Sequence, residues 1–143
     1  MVTIKKAHRL LSNAAYFLAD ALEIPCPTVD LLFNGHSTSA TPFPERNTIA
    51  IELSDTSDKA ILNALYSLAF AIRRIWSTAT RFGLYADDKG NAESIIFADS
   101  FIEYIMEGGD PLAYVDIPSD GHTLLYLREL FLPIIERIKG SDI

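Results

Sequence analysis

The chain has 143 residues, of which 49% are hydrophobic and 22% charged, and its twelve basic and nineteen acidic side chains leave a formal net charge of −7. That length is one domain's worth and buries about 68% of its unfolded surface, so it is expected to fold without a disulfide or a metal, and the composition excludes a disordered or collagen-like chain. The acidic balance argues against a phosphate-binding, nucleic-acid surface and fits a soluble cytoplasmic protein.

In chain order, Ile4, Leu11, Ala14, Leu18 and Leu22 recur near a period of 3.6, which predicts an amphipathic helix over about 3–23, ended by Pro25 and Pro27. Lys5, Lys6 and Arg9 precede this apolar stretch, but Ser12, Asn13 and Asp20 interrupt it, so it is read as a helix and not as a signal peptide. Thr28–Phe33 is a short strand. The stretch from Asn34 to Pro44, rich in turn formers and small polar residues, reads as a surface loop or a wandering edge. The β-branched run Thr48–Leu53 is a second strand. Ser54 to Asp58 supplies cap and first-turn residues for a long helix over about 58–81, closed by Gly83. A loop at 87–91 leads to a helix over about 92–107, stopped by Gly108 and Gly109. Residues 112–117 are extended, and a last helix over about 120–139 is kinked or split near Pro133. No run reaches the ~18–20 apolar residues of a membrane span. The expected fold is a single α+β domain over 1–143, mostly helical with a small β-sheet.

On the 58–81 helix, Ile61, Leu65, Leu68, Ile72 and Ile75 form one stripe, the expected core face. Phe70 falls diametrically opposite, with Arg74 one turn on and Tyr66, Ser67 and Trp76 near by. Such a residue is either a stray surface aromatic or one covered by a second layer. The 92–107 helix is apolar round much of its circumference, with Asp99, Ser100 and Glu103 as its solvent stripe. It is therefore a candidate for that layer.

The segment Leu68-Ala69-Phe70-Ala71-Ile72-Arg73-Arg74-Ile75-Trp76 resembles the active helix of small prophage-type zincin-like metallopeptidases, relatives of the ImmA/IrrE group, which reads approximately L-A-H-E-x-R-H-x-W. Leu68, Ala69, Arg73 and Trp76 match. The preceding helix, strand, Ser37–Phe43 loop and Asn47–Ile51 strand follow the family's order, and Ile95–Met106 resembles its third-ligand helix, keeping Ala98, Phe101 and Met106. The resemblance spans about residues 3–107 and implies a minimal zincin-like scaffold. It assigns Phe70 and Arg74 to the two zinc-histidine positions, Ala71 to the general-base glutamate and Ile95 to the third ligand. Phe, Ile and a protonated Arg give zinc no workable lone pair. What is implied is a pseudoenzyme without metal, cofactor or peptidase activity. The vacated site is expected to be closed by Phe70 against Ile95, with Arg74 pointing outward or meeting Asp99, Glu103, Glu45 or Glu52.

A binding or regulatory module with a protein or peptide partner is the function this implies. Two other readings stand beside it: a small acidic phage or prophage interaction protein of unrelated α+β fold, and a metal-independent enzyme using His36 or His122. His8, His36 and His122 are far apart in sequence and lack zinc-site spacing, and the single Cys26 has no partner for a disulfide. Asp87 to Glu93 lacks the ligand alternation of a calcium loop. Asp99 and Glu103, at i and i+4, are a solvent stripe in preference to an acid/base pair.

Overall fold

The computed structural model describes residues 2–80, 88–117 and 120–141, with side chains for all of these but 76–80, 88–91 and 141. Gly83 and Asp87 lie outside the described residues. Helix α1 (Ile4–Leu22) opens on Thr3, whose hydroxyl accepts from the Lys6 N–H at 3.1 Å, and closes on Glu23 in the left-handed conformation at φ 60°. Capping and not the prolines alone therefore ends it. Strands β1 (Thr28–Phe33) and β3 (Thr48–Leu53) fall where the β-branched runs lie.

The turn-rich stretch between them is an edge. Strand β2 (Ser39–Phe43) pairs antiparallel with β3, which pairs parallel with β1, so the sheet order is β1-β3-β2. Of the two readings, loop or wandering edge, the edge holds over these five residues: pairing with β3 outweighs the weak strand preference of a Ser-Ala-Thr-Pro-Phe sequence. Pro42 is compatible because its nitrogen faces away from β3. Asn47 and Leu53 offer their carbonyls toward β1, to Thr28 and Asn34. By the alternation of a strand, Thr48, Ala50 and Glu52 then bond toward β2, opposite Phe43, Thr41 and Ser39. Ala40 and Pro42 are left on the free edge.

Helix α2 (Asp58–Thr80) packs on β2 and β3 while α1 covers β1. Ser57 caps α2 by accepting from the Ala60 N–H. Ile61, Leu65, Leu68 and Ile72 are all fully buried, as the stripe predicts, and Ile75 is half-buried. Helix α3 (Asp88–Glu107) lies against α2 on the side away from α1. It begins four residues earlier than expected, because Asp88 to Asn91 join the helix. Its solvent face is also wider than expected. Ile95 and Ile96 are exposed beside Asp99 and Glu103, while Phe97, Ala98, Phe101, Tyr104 and Ile105 are buried.

Residues Pro111–Tyr114 form a single helical turn, α4, where extended chain is expected. The Asp110 carboxylate accepts from the Leu112 N–H, and Pro111 is preset for a helix's first position. Helix α5 runs His122–Ser141, two residues later at each end than expected, and Pro133 does not divide it. Pro133 and Glu129, whose carbonyl loses its helical partner, both lie on the exposed side, where water can replace the bond. Leu124, Leu127, Phe131, Ile134, Ile135 and Ile138 bury the other side. The molecule is therefore α+β and mostly helical with one small mixed sheet.

Helix α5 also closes the end of α3. The Gly108 N–H bonds the Tyr104 carbonyl, Arg128 Nε donates to that of Ile105 at 3.0 Å, and Lys139 Nζ to that of Met106 at 2.7 Å. Three carbonyls that a helix end leaves open are thus met, two of them by cations favoured at that pole.

Candidate functional site

The α2 face opposite the core stripe, the first turns of α3 and the start of β2 enclose an open pocket of ≈ 320 Å³. Helix periodicity sets its floor: Phe70 lies one turn on from Tyr66 and Ser67 on α2, and all three are half-buried. Helix α3 contributes Ile95, and the chain entering β2 contributes Thr38, Ser39 and Ala40. Thr38 is held in place because its hydroxyl accepts from the Ser54 N–H at 3.2 Å and pairs with the Ser54 hydroxyl at 3.1 Å. Phe70, Ile95 and Ala40 give apolar surface, and four hydroxyl groups rim it. The free edge of β2 adds the Ala40 N–H and carbonyl. Burial, with the Asp99 carboxylate beside it, pushes the Tyr66 phenol up, so it stays protonated and a donor at neutral pH.

Phe70 and Ile95 therefore lie in one pocket, but they do not close it. Ile95 is 46% exposed, which corrects the expectation that the pair fills the space as core. Helix α3 buries Phe97, Ala98 and Phe101 in this stretch and leaves Ile95 at the rim. Ala71 is fully buried in the core cluster and does not line the pocket. Arg74 is half-buried. Its neighbour Arg73, only 12% exposed, meets Glu93 at 3.5 Å. Arg73 and Glu93 also line a second pocket of ≈ 340 Å³ with Phe97, Ser100, Tyr114 and Asp116.

A zinc ion does not fit the positions that the resemblance assigns to it. The three ligand positions assigned by the resemblance carry Phe70, Arg74 and Ile95, and no group of three or more His, Cys, Asp or Glu able to hold a metal occurs among the described residues. The histidines do not converge. His8 bonds the Val29 carbonyl at 2.8 Å, His36 is exposed in the turn after β1, and exposed His122 stands 3.8 Å from exposed Asp120. None of the three lines either pocket. Asp99 and Glu103 are exposed, and Asp99 faces Tyr66, a partner that wheel positions on a single helix could not reveal. Sequence reasoning also missed the Ala40 wall, for which Pro42 was the one signal: a proline within a strand marks a free edge. No helix among the described residues is long and apolar enough to cross a membrane. In comparisons with known proteins, no family model, curated protein or solved structure matches the chain.

Proposed function

We propose that the chain is a catalytically inactive, metallopeptidase-like binding module that seats an extended polypeptide segment between β2 and α2. The observation that supports this is the open pocket of Phe70, Ile95 and Ala40 beneath a free strand edge, with no metal donor at the positions the resemblance assigns to ligands. An extended segment beside Ala40 would exchange backbone hydrogen bonds and drop one apolar side chain onto Phe70. Pro42 offers a carbonyl but no N–H, so edge pairing is short and the side chain in the pocket carries most of the affinity.

Peptides selected from a displayed random library on the full chain test this by fluorescence anisotropy. Apolar consensus peptides should bind, and Phe70→Asp or Ile95→Asp should weaken them by about tenfold or more, the cost of about 1.4 kcal/mol. The wild type, purified without chelator, should carry no stoichiometric zinc by elemental analysis. Selected peptides indifferent to both substitutions, or one zinc per chain at α2 and α3 with hydrolysis of the peptide, would overturn the reading.

A further inference from the structure

We infer that the opposite edge of the sheet, strand β1, pairs with β1 of a second copy of this chain in one defined register. The backbone dictates which groups are on offer. Thr28 and Asn34 donate their N–H groups toward β3, so by alternation Asp30 and Leu32 also face inward and Val29, Leu31 and Phe33 face outward. His8 occupies the Val29 carbonyl at 2.8 Å. Among the described residues no other hydrogen bond reaches this edge. Leu31 and Phe33 therefore present two N–H and two carbonyl groups without an intramolecular partner.

Natural edges are blunted by proline, lysine, bulges or a covering element. The β2 edge has Pro42. Strand β1, Thr-Val-Asp-Leu-Leu-Phe, has no proline or lysine, its one charge is Asp30, and His8 of α1 covers the edge only at the Val29 carbonyl. Its apolar side chains are left open on both faces of the sheet: Leu32 is 59% exposed on the outer face, and Phe33 is 48% exposed on the side that α1 leaves uncovered at the strand's end.

The second copy fits because the edge is self-complementary. A twofold axis through Leu32 sets Leu31 opposite the copy's Phe33 and Phe33 opposite its Leu31. Both are hydrogen-bonded pairs, so the four open groups of Leu31 and Phe33 on each chain are used. Leu32 meets Leu32 at the axis, and Asp30 stands opposite Asn34 and not another acid. The two axes nearer the start of the strand fail on the same observations. An axis through Asp30 opposes two carboxylates, and axes through Asp30 or Leu31 both require the Val29 carbonyl that His8 holds. The result is a six-stranded sheet ordered β2-β3-β1-β1-β3-β2. The two β2 edges remain outermost, so this association is independent of the pocket described above.

Sedimentation velocity of the full chain over a range of concentrations tests the inference. The weight-average mass should climb from 15.9 kDa toward twice that value. Leu32→Lys, at a largely exposed position, should weaken association by about tenfold or more, since it opposes two like charges at the axis. Phe33→Pro, which deletes an outward N–H and no bond to β3, should act in the same direction, with far-UV circular dichroism reporting that each variant is folded. Register is read by cross-linking in a Cys26→Ser background, because Cys26 is exposed. Leu32→Cys should oxidise to a covalent dimer, as its two copies face one another within disulfide reach, and Asp30→Cys should not. A mass of one chain at every concentration, a dimer indifferent to both Leu32→Lys and Phe33→Pro, or cross-linking at position 30 in preference to 32 would each overturn it.

Discussion

Among the positions that the resemblance assigns to zinc chemistry, Ala71 differs from Phe70 and Ile95 in its surroundings. Phe70 and Ile95 stand at a solvent-reached rim, whereas Ala71 is fully buried. A glutamate there would bring an unpaired carboxylate into the core, so Ala71→Glu is expected to cost about 3 kcal/mol or more. Phe70→His and Ile95→Glu exchange partly hydrated groups and should each cost less than about 1.5 kcal/mol. Urea melts of the single variants check this ordering, and equal losses at all three positions would contradict it. Combining Phe70→His, Ala71→Glu, Arg74→His and Ile95→Glu supplies a donor set without the surrounding hydrogen bonds that orient one. The expected outcome is a less stable protein with weak zinc affinity and a zinc-dependent rise in Tm that the wild type lacks. A quadruple variant whose melting ignores zinc would mark the zincin resemblance as accidental.

Among the elements, α2 carries the core, and its buried stripe is the place where truncation should hurt most. Leu65→Ala and Leu68→Ala remove side chains of zero exposure and should each cost about 2–5 kcal/mol in denaturant melts. Losses under about 1 kcal/mol at both would place the core on another face. The end of α3 depends on backbone geometry as well as packing. Gly108 has φ +79°, and a Cβ there would meet the Arg128 guanidinium carbon at 2.9 Å. Gly108→Ala thus strains the left-handed cap and displaces the cation that bonds the Ile105 carbonyl. A loss of about 1–2 kcal/mol is expected, and Arg128→Ala should recover part of the steric cost in a double-mutant cycle.

At the scale of the whole molecule, one ion pair ties the start of α2 to the end of α5: Arg137 donates twice to Asp58, at 2.9 Å each. The Arg137 hydrogen bonds hold the Asp58 carboxyl below its ordinary value. With the folded pKa below the unfolded one, the stabilisation is complete above the unfolded carboxylate range and disappears as pH falls through the folded value. Arg137 is about half exposed, so the gain is that of a surface pair, below about 1 kcal/mol. Asp58→Asn should be less stable than the wild type by that amount at neutral pH and equal to it in strong acid, as thermal melts at the two pH values would read. Local order was legible without the fold. The 3.6 period of Ile61, Leu65, Leu68 and Ile72 and the β-branched runs at 28–33 and 48–53 impose helix and strand through short-range sterics and burial, and these elements stand where the periodicity puts them. So was the oddity of Phe70, because a helix wheel needs only its own residues. What only the tertiary structure decided depends on partners distant in sequence. Ser39–Phe43 becomes a strand because β3 offers a free edge to it. Helix α5 survives Pro133 because that side faces water. The pocket stays open because α3 packs with Phe97 and Phe101 buried and Ile95 left at the rim. Periodicity shows which face of an element is apolar, but the angle and offset at which two such faces meet are set by side chains from both, and those decide whether the space between them is core or cleft.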